Sequence, residues 1–342
     1  MNVTIFFTRE CNLKCSYCYE GEKFSRHMSL ELLQPIVSFL QDHMKRTGSN
    51  RLNIVTHGGE PMLAFPQIQE FVQQLKLLIP VAKFFITTNG TIMNETMLGF
   101  LSEEYEDVSI SIDGTQAAHD MHRVFSNQRG SYDRVRENSL RLLERRPDTI
   151  ARMTVTSANV RHLYQGVVEL SQMGFQNILP VPDEGDSGWN EDTMKLLLEE
   201  CKRITTYLHN HKTSISLDVG FINDAPNKTK NSACDGGTGT LTIDTDGKLY
   251  PCTFANGIEE FCIGDIFEGI HASRLAAIHA EDDRVIEVCE GCQRYEYCTT
   301  TRCKIINKVR TGDYNVPTAT RCCLEHLSIK SAMFAADLVE QH

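Results

Sequence analysis

Val3-Thr-Ile-Phe-Phe7, followed by Cys11-Asn-Leu-Lys-Cys15-Ser-Tyr-Cys18, is the stretch from which the fold is read. A short apolar run leads straight into three closely spaced cysteines. Five more runs of the same kind follow, at Leu52–Val55, Phe84–Thr87, Val108–Ile112, Ala151–Val155 and Asn177–Val181. Amphipathic segments lie between them. Leu33, Ile36, Val37 and Leu40 share one helical face, with Ser29 as the expected N-cap, and Ile68, Phe71, Val72 and Leu75 share another. Strands alternating with helices imply a parallel sheet. Six such units make an incomplete (β/α)6 barrel of the α/β class, in which chemistry gathers on loops at the carboxyl ends of strands. The unusual residues sit there: Cys11–Cys18 after the first strand, Gly58–Pro61 after the second, Thr88–Gly90 after the third.

From about Asp218 the character changes. Cysteine, glycine and threonine dominate, and apolar periodicity returns only in a last helix around His326–Val339. A region with so thin a core needs metal staples. The reading is therefore a barrel over residues 1–217 and a small cysteine-rich domain over 218–342.

The chain of 342 residues has 13 cysteines, too many for an ordinary cytosolic enzyme. Three lie within Cys11–Cys18, Cys201 stands alone, and nine fall between Cys234 and Cys323. Two separate metal-binding regions follow. The net charge of −11 argues against bulk binding to nucleic acid or anionic membrane. No apolar run approaches the ~20 residues needed to span a bilayer. The N-terminus is not a signal peptide, since its apolar stretch is short and runs into the cysteine motif. The expected location is the cytoplasm.

Three thiolates as close as Cys11, Cys15 and Cys18 can each bind one iron of a cubane cluster, leaving the fourth iron open to a substrate or cofactor. A zinc site would want a fourth nearby Cys or His, and His27 is the nearest candidate. In His57-Gly58-Gly59-Glu60-Pro61, two glycines let backbone approach a ligand closely, and a carboxylate suits an ammonium group.

These segments, in this order, resemble the radical S-adenosylmethionine (radical SAM) superfamily. Its signature is three cysteines at this spacing with an aromatic before the third, matched by Tyr17. Gly58-Gly59-Glu60-Pro61 is similar to the motif that receives the methionine amino group. Thr88-Asn89-Gly90 and Ser109-Ile-Ser111-Ile-Asp113-Gly114 are similar to segments lining the cofactor. The resemblance implies that Ser111 faces the ribose and Arg123 reaches the methionine carboxylate. It also implies the chemistry: one electron from a reduced cluster cleaves S-adenosylmethionine, and the resulting 5′-deoxyadenosyl radical takes a hydrogen atom from the substrate. An external one-electron reductant, a flavodoxin or ferredoxin, would supply that electron.

The second region is similar to the SPASM domain, which binds two auxiliary four-iron clusters, giving three [4Fe–4S] clusters in all. It reads Cys234-x12-Gly247-x4-Cys252, Cys289-x2-Cys292-x5-Cys298-x4-Cys303, then Cys322-Cys323. The gap of four before Cys303 is one longer than the family pattern. The resemblance assigns Cys234, Cys252 and Cys303 to one cluster. It assigns Cys289, Cys292, Cys298 and either Cys322 or Cys323 to the other. Cys201 reads as a buried apolar residue, and Cys262 as packing rather than ligation.

Relatives with this extension mostly modify peptides, and thioether-forming maturases of ribosomally made precursor peptides are the preferred reading. Carbon–carbon cross-linking and formylglycine formation by anaerobic sulfatase maturases are the alternatives. A small-molecule substrate and a non-catalytic electron carrier are kept open. In the sulfatase maturases an aspartate base follows the Tyr-Pro-Cys cysteine. Here Thr253 follows Tyr250-Pro251-Cys252 and has no usable pKa for that task. The chain starts at the first barrel strand, so the leader of a precursor would be gripped by a separate leader-binding protein or by the two regions themselves.

Overall fold

The computed structural model describes all residues except 22, 212–216, 221–229, 231–233, 282–283 and 341–342. All six expected strands form: β1 (Asn2–Thr8), β2 (Leu52–Gly58), β3 (Ala82–Thr88), β4 (Asp107–Ser111), β5 (Ile150–Val155) and β6 (Asn177–Pro182). They pair in parallel in sequence order, joined by helices α1 (Leu33–Thr47), α2 (Phe65–Leu78), α3 (Glu95–Glu104), α4 (Gln116–Asp120), α5 (Tyr132–Leu143) and α6 (Leu163–Met173). α7 (Glu191–His211) follows β6. The helical stripes are buried as read: Leu33, Ile36, Val37 and Leu40 of α1, and Ile68, Phe71, Val72 and Leu75 of α2. Ser29 caps a short 3-10 turn ahead of α1, accepting from the Glu31 amide.

Two features depart from the reading. β7 (Asp218–Val219) pairs in parallel with β6, so the barrel sheet runs past the boundary placed at 217. The second region also shares the barrel's sheet. β8 (Thr240–Ile243) lies parallel to β1, and β9 (Lys248–Tyr250), β10 (Gly264–Asp265) and β11 (Gly269–Ile270) extend it antiparallel. The result is one sheet of eleven strands, in the order β11-β10-β9-β8-β1-β2-β3-β4-β5-β6-β7. Strands of two to four residues leave too short a period to read, which is why they were not legible in the sequence.

Among the described residues, the second region also has α8 (Ala272–His279), α9 (Thr299–Arg302), α10 (Lys304–Thr311) and α11 (Ala319–Glu340). α11 packs along α7 and carries Cys322 and Cys323 back to the barrel side. Cys201 and Cys262 are buried in the apolar core, as expected. Among the described residues, no helix is long and apolar enough to cross a membrane.

Candidate active site

The loop after β1 carries Cys11, Cys15 and Cys18. Backbone bonds from Lys14 to the Val124 carbonyl (2.8 Å) and from Ser16 to the His122 carbonyl (3.2 Å) pin it across the barrel mouth. The Leu13 amide points at Cys11 Sγ (3.5 Å). All three thiols are free and half-buried. Cys15 lies within electrostatic reach of both Cys11 and Cys18. Burial raises the Cys11 pKa to about 11, and the Leu13 amide opposes it. Burial also raises that of Cys15, against the pull of Arg123. Buried thiols side by side, unpaired as disulfides and adjoined by cations, fit a group that draws off their protons and binds thiolate. His27, the fourth ligand that zinc would need, is held instead by Glu10 at 2.9 Å. Among the described residues, no three His, Cys, Asp or Glu side chains are arranged around a single-ion position.

The Gly-Gly-Glu-Pro segment ends β2 and answers to the chain itself. A Cβ on Gly59 would stand 2.3 Å from the Glu10 carbonyl, and one on Gly58 2.7 Å from the Thr8 carbonyl. The glycines therefore let β2 close against the strand that launches the cysteine loop. The Glu60 carboxylate is buried and accepts from the Met62 amide (3.0 Å), the Thr88 hydroxyl (2.6 Å) and the Asn89 amide (2.7 Å). Burial raises its pKa, while those three donors hold it down. Pro61, also buried, starts the 3-10 turn that Glu60 caps. Asn89 reaches from β3 to Asn12 Oδ1 (2.8 Å) and toward Cys11 Sγ (3.9 Å). Thus Glu60, Thr88 and Asn89 form one clamp beneath Cys11.

Asp113 and Arg123 form a second clamp. Arg123 forks Asp113 at 2.9 and 3.2 Å, and Tyr17 donates to the same carboxylate at 2.5 Å. The guanidinium also lies over the Tyr17 ring, 5.2 Å from its centroid. Burial and this carboxylate push the Tyr17 phenol well up. Arg123, expected to reach a methionine carboxylate, has its Nε and Nη2 held by Asp113. Its sequence position could not show that, because the partner arrives from the preceding strand end. Ser111 ends β4, half-buried, in register with Arg152 of β5.

The inner side of the barrel holds polar groups that motif reading passed over. Arg9 forks Asp244 at 2.9 and 2.6 Å and lies 3.6 Å from Glu20. Glu20 Oε1 and His57 Nδ1 stand 3.8 Å apart, both buried and neither hydrogen-bonded. Burial lowers the His57 pKa to about 4, with Lys23, Arg9 and Arg152 adding to the effect. Tyr19 and Phe254 lie with ring centroids 5.5 Å apart, tilted to one another, and both are exposed. Thr253 donates to Thr4 of β1 at 3.4 Å. Strand alternation was the signal available: Asn53, Val55 and His57 of β2 share one face, as do Arg152 and Thr154 of β5.

The later cysteines gather around Cys252 and around Cys289, and Cys303 lies within electrostatic reach of Cys298 as well. Cys252 feels Cys234 and Cys303. Burial pushes the Cys252 thiol up to about 11. Cys289 feels Cys298, Cys322 and Cys292, and Cys322 in turn feels Cys298 and Cys292. Cys323 registers only beside its neighbour Cys322. All 13 cysteines lie among the described residues, and all are free thiols. Cys262 points its thiol at the Gly264 carbonyl, 3.6 Å away.

Family comparison agrees with this layout. Residues 5–159 match the radical SAM superfamily, and residues 234–293 match an iron–sulfur cluster-binding domain, SPASM. This chain carries a radical SAM domain and a SPASM domain. With those domains come S-adenosylmethionine and [4Fe–4S] clusters as cofactors, auxiliary clusters included, and the chain is an enzyme. A cysteine-type anaerobic sulfatase-maturating enzyme of Clostridium novyi (strain NT) is 25% identical over 319 residues, covering 84% of this chain and 83% of the relative. The same enzyme type from Clostridium perfringens (strain 13 / Type A) is also 25% identical, with 84% of each chain covered. Native anSMEcpe with bound AdoMet and Cp18Cys peptide shares the fold at a TM-score of 0.79 and 17% identity, covering 99% of both chains. Streptococcus suis SuiB bound to precursor peptide SuiA follows at 0.68 and 15%, covering 94% of this chain and 75% of that one.

Proposed function

We propose that this radical SAM–SPASM enzyme modifies a ribosomally made peptide by forming a thioether to a substrate cysteine. Cys11, Cys15 and Cys18 would hold the barrel cluster. Glu60, Thr88 and Asn89 set the Cys11 side of that loop, and Tyr17 with the Asp113–Arg123 pair sets the other. Ser111 stands at the strand end where the cofactor's ribose would lie. When bound, cluster and S-adenosylmethionine together supply a 5′-deoxyadenosyl radical able to take a hydrogen atom from an unactivated carbon. The protein's own part is to hold the peptide against that site and keep water out.

The observation carrying the thioether reading is the ligand count. Cys289, Cys292, Cys298 and Cys322, which lie within electrostatic reach of one another, would make a set of four, enough to close one auxiliary cluster. Cys252, with Cys234 and Cys303 within its electrostatic reach, would make a set of three. Cys201 and Cys262 are in the core and Cys322 lies beside Cys292 and Cys298, which supports leaving this set at three, with Cys303 lying within reach of Cys298 as well. A thiolate from the substrate fits the remaining position, and a bound iron would deprotonate it.

A second reading, formylglycine formation, is favoured by the sulfatase-maturating relatives. Against it stands Thr253, whose hydroxyl is turned to Thr4 and offers no base. The test is direct. The reconstituted, dithionite-reduced protein is given S-adenosylmethionine with either a sulfatase-derived Cys peptide or a Cys-containing precursor peptide. The expected products are 5′-deoxyadenosine in both tubes and a cross-linked thioether only in the second. Stoichiometric formylglycine by mass spectrometry would sink the thioether reading.

A further inference from the structure

Thr299-Thr-Thr-Arg302 fills the gap between Cys298 and Cys303, one residue longer than the family pattern. It puts Cys303 four residues after Thr299, the spacing of an α-helical bond, and the Cys303 amide donates to the Thr299 carbonyl at 2.8 Å. Helix α9 is that turn. Thr299 thus stands between the two groups of cysteines, next to Cys298 in the chain and bonded through its backbone to Cys303. Its hydroxyl donates to Glu325 Oε1 (2.7 Å) and accepts from Arg321 Nη2 (2.8 Å), both on α11. Arg321 directly precedes Cys322. Its Nη1 meets both oxygens of Glu184 at 2.8 Å, and its Nε–H is buried with no partner among the described residues. Glu184 belongs to the segment between β6 and α7, so this pair ties the barrel to the SPASM region.

Burial raises the Cys303 thiol; Arg321 and then Arg302 pull against it, and Glu184 adds to the rise. The two cations are not equivalent. Arg302 pairs with Asp235 at 3.1 Å, with side chains 35% and 43% exposed, where solvent screens both charges. Arg321 and Glu184 are 15% and 26% exposed, so their charges act with less screening. Net charge and hydrogen bonding around an iron–sulfur cluster set its reduction potential. A cation favours the reduced, more negative state, and a carboxylate favours the oxidised one.

The reaction needs that control. A substrate thiolate and a carbon radical hold three electrons between them, and the new C–S bond keeps two. The hydrogen atom has by then left with 5′-deoxyadenosine and the thiol proton on thiolate formation, so one electron must pass to an acceptor. An iron–sulfur cluster beside the substrate sulfur is an acceptor of the right class. We propose that Arg321 and Glu184 are positioning residues of opposite sign that set the reduction potential of the auxiliary cluster held by Cys234, Cys252 and Cys303, and with it the ease with which that electron is received. The proposal rests on the assignment of those three cysteines to one cluster and not on which bond the enzyme forms, since any two-electron oxidation begun by hydrogen-atom abstraction releases one electron in the same way.

The test is a potentiometric titration of the three-cluster protein followed by electron paramagnetic resonance. Cys303→Ser marks the signal of this cluster, and Cys322→Ser marks that of the other. Arg321→Gln should lower the midpoint of the first signal by about tenfold in the reduction equilibrium, about 59 mV for one electron. Glu184→Gln should raise it by a similar amount, and the double variant should fall between the two. Arg321→Lys keeps the charge, guards against poor cluster loading in the first variant, and should stay closer to the wild type than Arg321→Gln does. Arg302→Gln should move the midpoint less than Arg321→Gln. A merely structural role predicts no such opposition of sign. Unmoved midpoints in both single variants, shifts in the same direction, or shifts confined to the signal marked by Cys322→Ser would each overturn the pair. Mass spectrometry of the product reads the bond formed separately. A formylglycine product with the opposed shifts in place would defeat the thioether reading and leave the pair standing. A thioether product with unmoved midpoints would defeat the pair alone.

Discussion

His119 is fully buried, with Nδ1 accepting from the Asp113 amide at 3.3 Å and Nε2 paired with Ser131 at 2.9 Å. Burial depresses its pKa to about 3, Asp113 opposing. The unfolded chain, with an ordinary histidine near 6.5, takes up the proton first as pH falls. The stability held by neutral His119 is thus complete above about 6.5 and is lost between there and 3, at about 1.4 kcal/mol per pH unit. Denaturant melts between about pH 6 and 4.5 should show His119 contributing that slope beside His57, which burial also depresses, and His119→Gln should reduce the slope by about that amount. A second residue-scale prediction separates Cys322 from Cys323. Cys322→Ser should change the electron paramagnetic resonance of one auxiliary cluster, and Cys323→Ser should leave the spectrum as it is. Equal effects would discard the four-thiol set. Residue identity made the cysteines legible in the sequence, because thiols at short spacing carry their chemistry with them. Arg123 and Arg321 were not legible in the same way. A guanidinium's role depends on whether a carboxylate meets it, and that is decided by neighbouring strands rather than by neighbours in the chain.

At the scale of elements, β2 reads correctly as a strand, and its glycines have a packing role that the motif reading did not include. Gly58 and Gly59 serve the packing of β2 on the β1 loop, where the backbone bonds Gly59–Thr8 (3.0 Å) and Glu60–Glu10 (2.8 Å) close the gap. Gly59→Ala would force a Cβ into the Glu10 carbonyl, and the backbone must yield. The expected cost is about 1–3 kcal/mol, together with displacement of the loop that presents Cys11. Iron bound after reconstitution should fall below the wild-type value. Gly99→Ala is the matching control. Gly99 lies within helix α3 and its Cβ would meet only the end of Arg145 at 3.8 Å. That change should leave iron binding alone and raise stability by about 0.5–1 kcal/mol. Iron loss in both variants would detach the effect from the strand contact. The six barrel strands and their helices were legible because each carries several apolar residues at a fixed period. β7, β10 and β11, with two residues each, are specified by partners already in place.

Across the whole molecule, the hydrogen-bonded seam between β1 and β8 makes the radical SAM and SPASM regions parts of one sheet. The Arg9–Asp244 pair sits at the end of that seam, with side chains 12% and 6% exposed, and joins the cysteine-bearing loop of one region to β8 of the other. Removing one member of a buried pair strands the other charge and costs about 3–5 kcal/mol. Glu20, 3.6 Å from Arg9, takes up part of the stranded charge, so Asp244→Asn should fall near about 3 kcal/mol. Two probes report on the two ends of the sheet. Trp189, the only tryptophan in the chain, bonds the Asp183 carbonyl after β6 and reports on the barrel. Visible absorbance of the iron–sulfur clusters reports mainly on the cysteine-rich region. If the seam couples the two regions, thermal transitions at both signals coincide in the wild type and move down together in Asp244→Asn. Two independently folding domains would instead separate the signals, with absorbance bleaching at one temperature and tryptophan fluorescence changing at another. That result would overturn the single cooperative sheet, and it would move the origin of Arg9's pairing from folding to alignment of the two sites.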